Sequence, residues 1–168
     1  EIYVIIIAYY KNCANFAAIG GKIMAALKMR FLYYSNKAKI KAMAELIKAE
    51  FDLAQNHNAI DIIPPAYPCE TERLVVVIAT AAAKYSTAVE IFCKNMNKSQ
   101  AQNVAFIIDG TPENAAKIVE MAKTNNSNII EDILYINGGI PLKFIKKVSD
   151  EEMNTVKAWV EKTLSSLA

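Results

Sequence analysis

Apolar residues in this chain come in blocks. Ile2–Tyr9 (IYVIIIAY), Met29–Tyr34 (MRFLYY), Arg73–Thr80 (RLVVVIAT), Asn103–Asp109 (NVAFIID) and Ile129–Ile136 are short runs rich in β-branched and aromatic residues. Such runs suit strands buried on both faces. The stretches between them carry helical spacing. Ala14–Lys28 places Phe16, Ile19, Ile23 and Leu27 on one face, and Lys37–Ala54 does the same with Ile40, Met43, Ile47, Phe51 and Ala54. Tyr85–Met96 turns Val89, Phe92 and Cys93 inward. Thr111-Pro112 opens a further helix, with Thr as N-cap and Pro in the first turn. Ser149-Asp150-Glu151-Glu152 reads as a capping box, and the helix behind it buries Met153, Val156, Trp159, Val160, Leu164 and Leu167. Ser35 and Asn36 stand where they can cap the second helix. Residues 55–72, with Pro64, Pro65 and Pro68, read as an irregular internal loop.

The resulting order is β-α repeated five times. Strands separated by helices cannot pair as hairpins, so the expected fold is α/β, a three-layer parallel sheet with helices on both faces. In such sheets ligands sit beyond the carboxyl ends of the strands, where the strand order reverses. That points to three loops, residues 9–15, 80–86 and 109–113.

Length and composition narrow the picture. The 168 residues suit one domain spanning 1–168. Apolar residues are 54% and charged residues 21%, as in a folded globular chain. The net charge of +2 argues against a strongly electrostatic nucleic-acid binder. The longest apolar run, Ile2 to Tyr10, falls well short of the roughly 20 residues a membrane span needs, so no membrane partner is expected. Cys13, Cys69 and Cys93 form no metal-binding spacing, and reduced thiols in a cytoplasmic protein are the simplest reading. The segment after Glu1 lacks the basic start of a secretory leader.

The run of elements resembles the flavodoxin-like family in its short-chain form. IIIAYYKNCANFAAIGGKI looks like that family's first strand, phosphate loop and first helix. ERLVVVIATAAAKYSTAVEIFCKNM looks like its third strand, flavin-contacting loop and helix. NVAFIIDGTPENAAKIVEMAK looks like its fourth strand and helix, and VSDEEMNTVKAWVEKTL is similar to its last helix. The resemblance implies five parallel strands in the order 2-1-3-4-5, Ile2–Tyr9 being the first. It also implies noncovalent binding of flavin mononucleotide (FMN), for electron transfer or flavin-dependent reduction.

The family's phosphate loop runs Ser/Thr-x-Thr-Gly-Asn-Thr, in which hydroxyls, backbone N–H groups and a helix N-terminus hold the phosphate. The matching stretch here, after Tyr10, is Lys11-Asn12-Cys13-Ala14-Asn15-Phe16. Asn15 keeps its type, while three hydroxyls and the glycine are replaced. The second loop, Thr80-Ala81-Ala82-Ala83-Lys84-Tyr85, keeps Thr80 but has Ala83 at the usual aromatic position, with Tyr85 as a shifted candidate for stacking. The third, Asp109-Gly110-Thr111-Pro112, keeps a glycine that lets backbone approach the ring edge. Asp109 is read as a cap for the helix that follows. Cys13 at a helix start is a candidate reactive thiol.

His57, among Gln55, Asn56 and Asn58, reads as a solvated loop histidine, and Lys37, Lys39 and Lys41 as a solvated helix face. No side chain stands out as catalytic or metal-binding. Electron-carrier flavodoxins are typically acidic. The charge of +2 therefore suits a flavin reductase or regulatory flavoprotein better than a shuttle. Implied partners are FMN, a redox partner or small-molecule acceptor, and a second copy in a homodimer. The rival expectation is a flavodoxin-like scaffold that binds no cofactor and has no enzymatic activity. Paired acids after the first strand, which a receiver-like module needs, are missing.

Overall fold

The computed structural model describes residues 29–51, 57–60, 72–82, 84–124, 128–140 and 147–167. Their elements are β1 (Met29–Tyr34), α1 (Ala38–Glu50), β2 (His57–Ala59), β3 (Glu72–Thr80), α2 (Thr87–Asn95), β4 (Ala101–Asp109), α3 (Pro112–Lys123), β5 (Asn128–Ile129), β6 (Leu134–Ile136) and α4 (Asp150–Ser166). The expected strand Ile2–Tyr9 and helix Ala14–Lys28 lie outside the described residues.

All pairings in the sheet are parallel. The order is β2-β1-β3-β4-β5, with β6 also on β4. This is an α/β architecture, as the patterning predicts, but the expected placement of strands is not met. Met29–Tyr34 pairs directly with Leu74–Ala79 on one side and with His57–Ala59 on the other. Both of its edges are engaged, so no slot for Ile2–Tyr9 exists between it and β3. Counted from Met29, the described strands run 2-1-3-4-5, one unit later in the chain than expected.

The second correction concerns residues 55–72. His57–Ala59 is a strand, in register with Phe31–Tyr33. Three polar-flanked residues are too few to show any period. The third concerns Ile129–Ile136, which forms two short strands on the same neighbour. β5 pairs with Asn103–Val104 and β6 with Ile107–Asp109. The acidic pair Glu131-Asp132 sits in the break, where Asp132 meets Lys162 at 2.8 Å in solvent.

Strand alternation divides the core in two. Leu32, Val75, Val77, Ala79, Val104, Phe106 and Ile108 face α2 and α3, which supply Val89, Phe92, Cys93, Ile118 and Ala122. Phe31, Leu74, Val76, Ile78, Ala105 and Ile107 face α1 and α4, which supply Ile40, Met43, Ile47, Val156, Trp159 and Val160. Val75, Val76, Val77 and Ile78 are all 0% exposed, which is why β3 carries no polar face. Each such side chain contributes about 1.5–3 kcal/mol by leaving water.

Expected inward positions on α1, α2 and α4 hold among the described residues, with Met153, Phe51 and Leu167 half-buried at the margins, and Ala54 lies outside the described residues. The α4 capping box forms as expected. Ser149 Oγ accepts from Glu152 N at 3.2 Å, and Ser149 N donates to Glu152 Oε2 at 3.0 Å.

Glu152 also meets Lys39 across the α1–α4 contact. Lys39 foremost, then the N-cap N–H of Ser149, hold the Glu152 carboxyl below its ordinary value of 4.5. A depressed carboxyl stabilises the fold above its unfolded pKa, and that contribution is lost as pH falls through the folded one. Glu152→Gln keeps the cap and removes the charge. The expected result is a stability loss of about 0.2–1 kcal/mol at neutral pH that shrinks below pH ~4.5. Urea denaturation of both proteins across pH 3–7 reads it.

Candidate functional site

The chain runs from β1 to one side, into β2, and returns to the other side in β3. The order therefore reverses between β1 and β3, and beyond the carboxyl ends of two such strands is where open parallel sheets bind ligands. The residues there are Ser35, Asn36 and Lys37 after β1, and Thr80, Ala81 and Ala82 at the end of β3.

A polar seam crosses this end of the sheet. Ser35 Oγ lies 2.7 Å from Thr80 Oγ1, and Thr80 Oγ1 lies 2.9 Å from Asp109 Oδ2. Lys37 Nζ lies 2.8 Å from the same Oδ2. Gly138 N donates to Asp109 Oδ1 at 2.7 Å, which brings the loop after β6 into the seam. The carboxylate only accepts, so the Thr80 proton points to Asp109 and Ser35 donates to Thr80. Ser35 Oγ in turn accepts from Lys37 N at 3.0 Å. Asp109 is 5% exposed and Lys37's side chain 16%. Burial of this charge pair is tolerable because the carboxylate has three donors.

Asp109 is thus not the cap of the helix behind it. Thr111 holds the N-cap position of α3, without a side-chain bond to the backbone. The Thr111 hydroxyl instead bonds Glu113, the first cause that holds that carboxyl down. The carboxylate is claimed from three other elements, none visible from its own neighbourhood in the chain.

The start of α1 also departs from expectation. Its N-cap is Lys37, with no side-chain cap bond and no acid in the first turn. Ser35 turns to Thr80 instead of capping, and Asn36 is exposed. Lys37 and Lys39 are no solvated face. Lys37 reaches Asp109, and Lys39 meets Glu152 and lies 3.4 Å from Asn137 O. Lys41 alone of the three is exposed as expected.

Tyr85 offers no open face. It is 3% exposed, its hydroxyl accepts from Ala82 N at 3.2 Å, and its ring sits 6.0 Å from Tyr34 at a tilt of 51°. Burial pushes the phenol pKa up. Ser86, not Tyr85, begins α2 as its N-cap. Gly110 approaches the second loop so closely that a Cβ there would lie 2.8 Å from Ala81 Cβ, and Ala81 N donates to Asp109 O at 3.0 Å. The second loop is therefore tied to the end of β4 by backbone, and a side chain at 110 would meet that of Ala81.

The structure brings together Thr80, Ala81, Ala82, Tyr85, Asp109 and Gly110 from the residues expected at the site, with Thr111 at its exposed margin. Tyr10, Lys11, Asn12, Cys13, Ala14, Asn15 and Ala83 lie outside the described residues. Ser35, Lys37 and Gly138 were missed. The available signal was Tyr34-Ser35 ending a strand directly before a helix. Cys93, the described thiol, is buried, which raises its pKa to about 12 and removes thiolate reactivity.

Among the described residues no His, Cys, Asp and Glu group could hold a metal ion, and no helix is long and apolar enough to cross a membrane. No protein-family model, curated protein or solved structure matches the chain.

Proposed function

We propose that the chain is a flavodoxin-like protein that binds FMN noncovalently at the β1/β3 crevice, for electron transfer or flavin-dependent reduction. One observation carries the reading. The reversal of strand order coincides with the start of a 13-residue helix bare of side-chain cap and first-turn acid, with Ser35, Thr80 and Lys37 around it. That combination suits a phosphate monoester. The helix end presents backbone N–H groups and a positive dipole end, and Lys37 places an ammonium beside it.

The phosphate position in this reading is residues 35–40, not 11–15. Ser35-Asn36-Lys37-Ala38-Lys39-Ile40 keeps the leading hydroxyl of the family's loop and has lysines where two of its polar positions fall. The ring lies against backbone at Thr80–Ala82 and Gly110–Thr111. With Tyr85 buried, no described aromatic stacks on it. The flavin supplies the redox chemistry when bound. The chain's own residues bind the phosphate, orient the ring and keep one of its edges from water.

A second reading, a scaffold without cofactor, is favoured by the completeness of the Ser35–Thr80–Asp109–Lys37 seam and by the burial of Tyr85. Titration with FMN, followed by flavin fluorescence with riboflavin in parallel, separates the two. Saturable quenching by FMN below about 1 μM, near 8 kcal/mol of binding, with riboflavin at least tenfold weaker, is expected. No quenching of either at 100-fold higher concentration, or equal affinity for both, rejects the phosphate site.

A further inference from the structure

The Lys37–Asp109 ion pair crosses the carboxyl end of the sheet at the reversal of strand order. Lys37 belongs to the β1–α1 loop and Asp109 to the end of β4, with Thr80 of β3 between them. The lysine's charge is thus spent internally at the place where a phosphate needs it. The arrangement on the carboxylate is asymmetric. Without Lys37, Asp109 keeps the Thr80 hydroxyl on Oδ2 and the Gly138 N–H on Oδ1. It would not be orphaned. Lys37, by contrast, has Asp109 as its ion-pair partner among the described residues. An ammonium is a point charge on a flexible stem and can change partner by rotation alone.

We propose that Lys37 is a masked phosphate ligand, held closed by Asp109 and released to the phosphate of an entering ligand. This rests on the FMN reading above and adds how that site is regulated. Asp109 competes with the phosphate for Lys37 and repels it across a partly buried gap, where charges interact more strongly than in water. The carboxylate therefore sets affinity from outside the ligand's own contacts, and it acts on the phosphate end only.

The test is fluorescence titration of wild type, Asp109→Asn and Lys37→Met with FMN and riboflavin, each variant first checked for folding by circular dichroism. Asp109→Asn retains hydrogen-bonding capacity toward Thr80 and Gly138. It is expected to bind FMN tenfold or more tighter than wild type, with riboflavin within twofold. Lys37→Met is expected to bring FMN down to riboflavin's affinity. If wild type binds FMN and Asp109→Asn binds it equally or more weakly, the latch is wrong and the FMN reading stands. If neither binds FMN, both are wrong. Should Asp109→Asn not fold, Lys37→Met decides: FMN affinity unchanged from wild type overturns the proposal.

Discussion

Replacing Arg30 with Met is expected to destabilise the protein by about 3–5 kcal/mol, a large part of a domain's total. Arg30 Nε donates to Glu72 Oε1 at 2.8 Å, the two side chains being 10% and 0% exposed. The other carboxylate oxygen, Oε2, is buried with no hydrogen-bond partner among the described residues. Glu72 thus depends on Arg30. Removing the arginine leaves a buried charge uncompensated, whereas removing both charges does not. Arg30→Met with Glu72→Leu should recover most of the loss, because well-packed apolar pairs replace buried ion pairs at little cost. For a chain of this length the single variant should melt roughly 6–20 °C lower. A single-variant loss below about 1 kcal/mol in a urea titration would mean that the pair is hydrated and worth no more than a surface bridge.

Gly138→Ala is expected to cost roughly 2–4 kcal/mol, more than any surface glycine change should. A Cβ at 138 would lie 2.5 Å from Asp109 Oδ2 and 2.6 Å from its Cγ. The carboxylate is nearly buried and cannot simply rotate into solvent. It must leave Gly138 N, and with it the bonds to Thr80 and Lys37. Gly139 is the control. Its φ of +68° disfavours a side chain, but nothing lies within 4 Å of its Cβ position. Gly139→Ala should therefore cost about 1 kcal/mol, the strain of the left-handed backbone alone. Equal losses in thermal melts of the two variants would show that Asp109 is not pinned by Gly138. The comparison isolates the seam because the two glycines are neighbours on one loop.

Much of the described fold is legible in the residues themselves. Leu74–Ala79 and Val104–Ile108 have no polar face, so their burial in the middle of a parallel sheet follows from composition. The α4 capping box and its inward stripe are local features, and local features read well. The strand order does not. A run such as Met29–Tyr34 says that it is buried, not which strand it lies beside. Ile2–Tyr10 is the longer and more apolar run, so the count of strands starts there, and its own pairing lies outside the described residues. β2 was illegible because three residues cannot show a period. At the site, Thr80 and Asp109 are legible as strand-end residues, but the place of Asp109 in the seam, with Thr111 at the cap of α3 instead, is not. Asp109 takes Lys37 from 72 residues away and Gly138 from 29 residues away. Such ties are set by sheet topology, and no spacing rule reaches them. Tyr85 failed for a related reason. Its hydroxyl satisfies Ala82 N, which draws the ring inward against Tyr34.

The proposed location of the phosphate is tested most directly by backbone amide chemical shifts in ¹⁵N-labelled protein, followed during FMN and riboflavin titrations. FMN should shift the amides of residues 35–40 and those of Thr80–Ala82 and Gly110. Riboflavin should shift the second set and leave 35–40 in place. If FMN moves no amide in 35–40, or moves only residues remote from the β1/β3 crevice, the site is not where the strand order puts it.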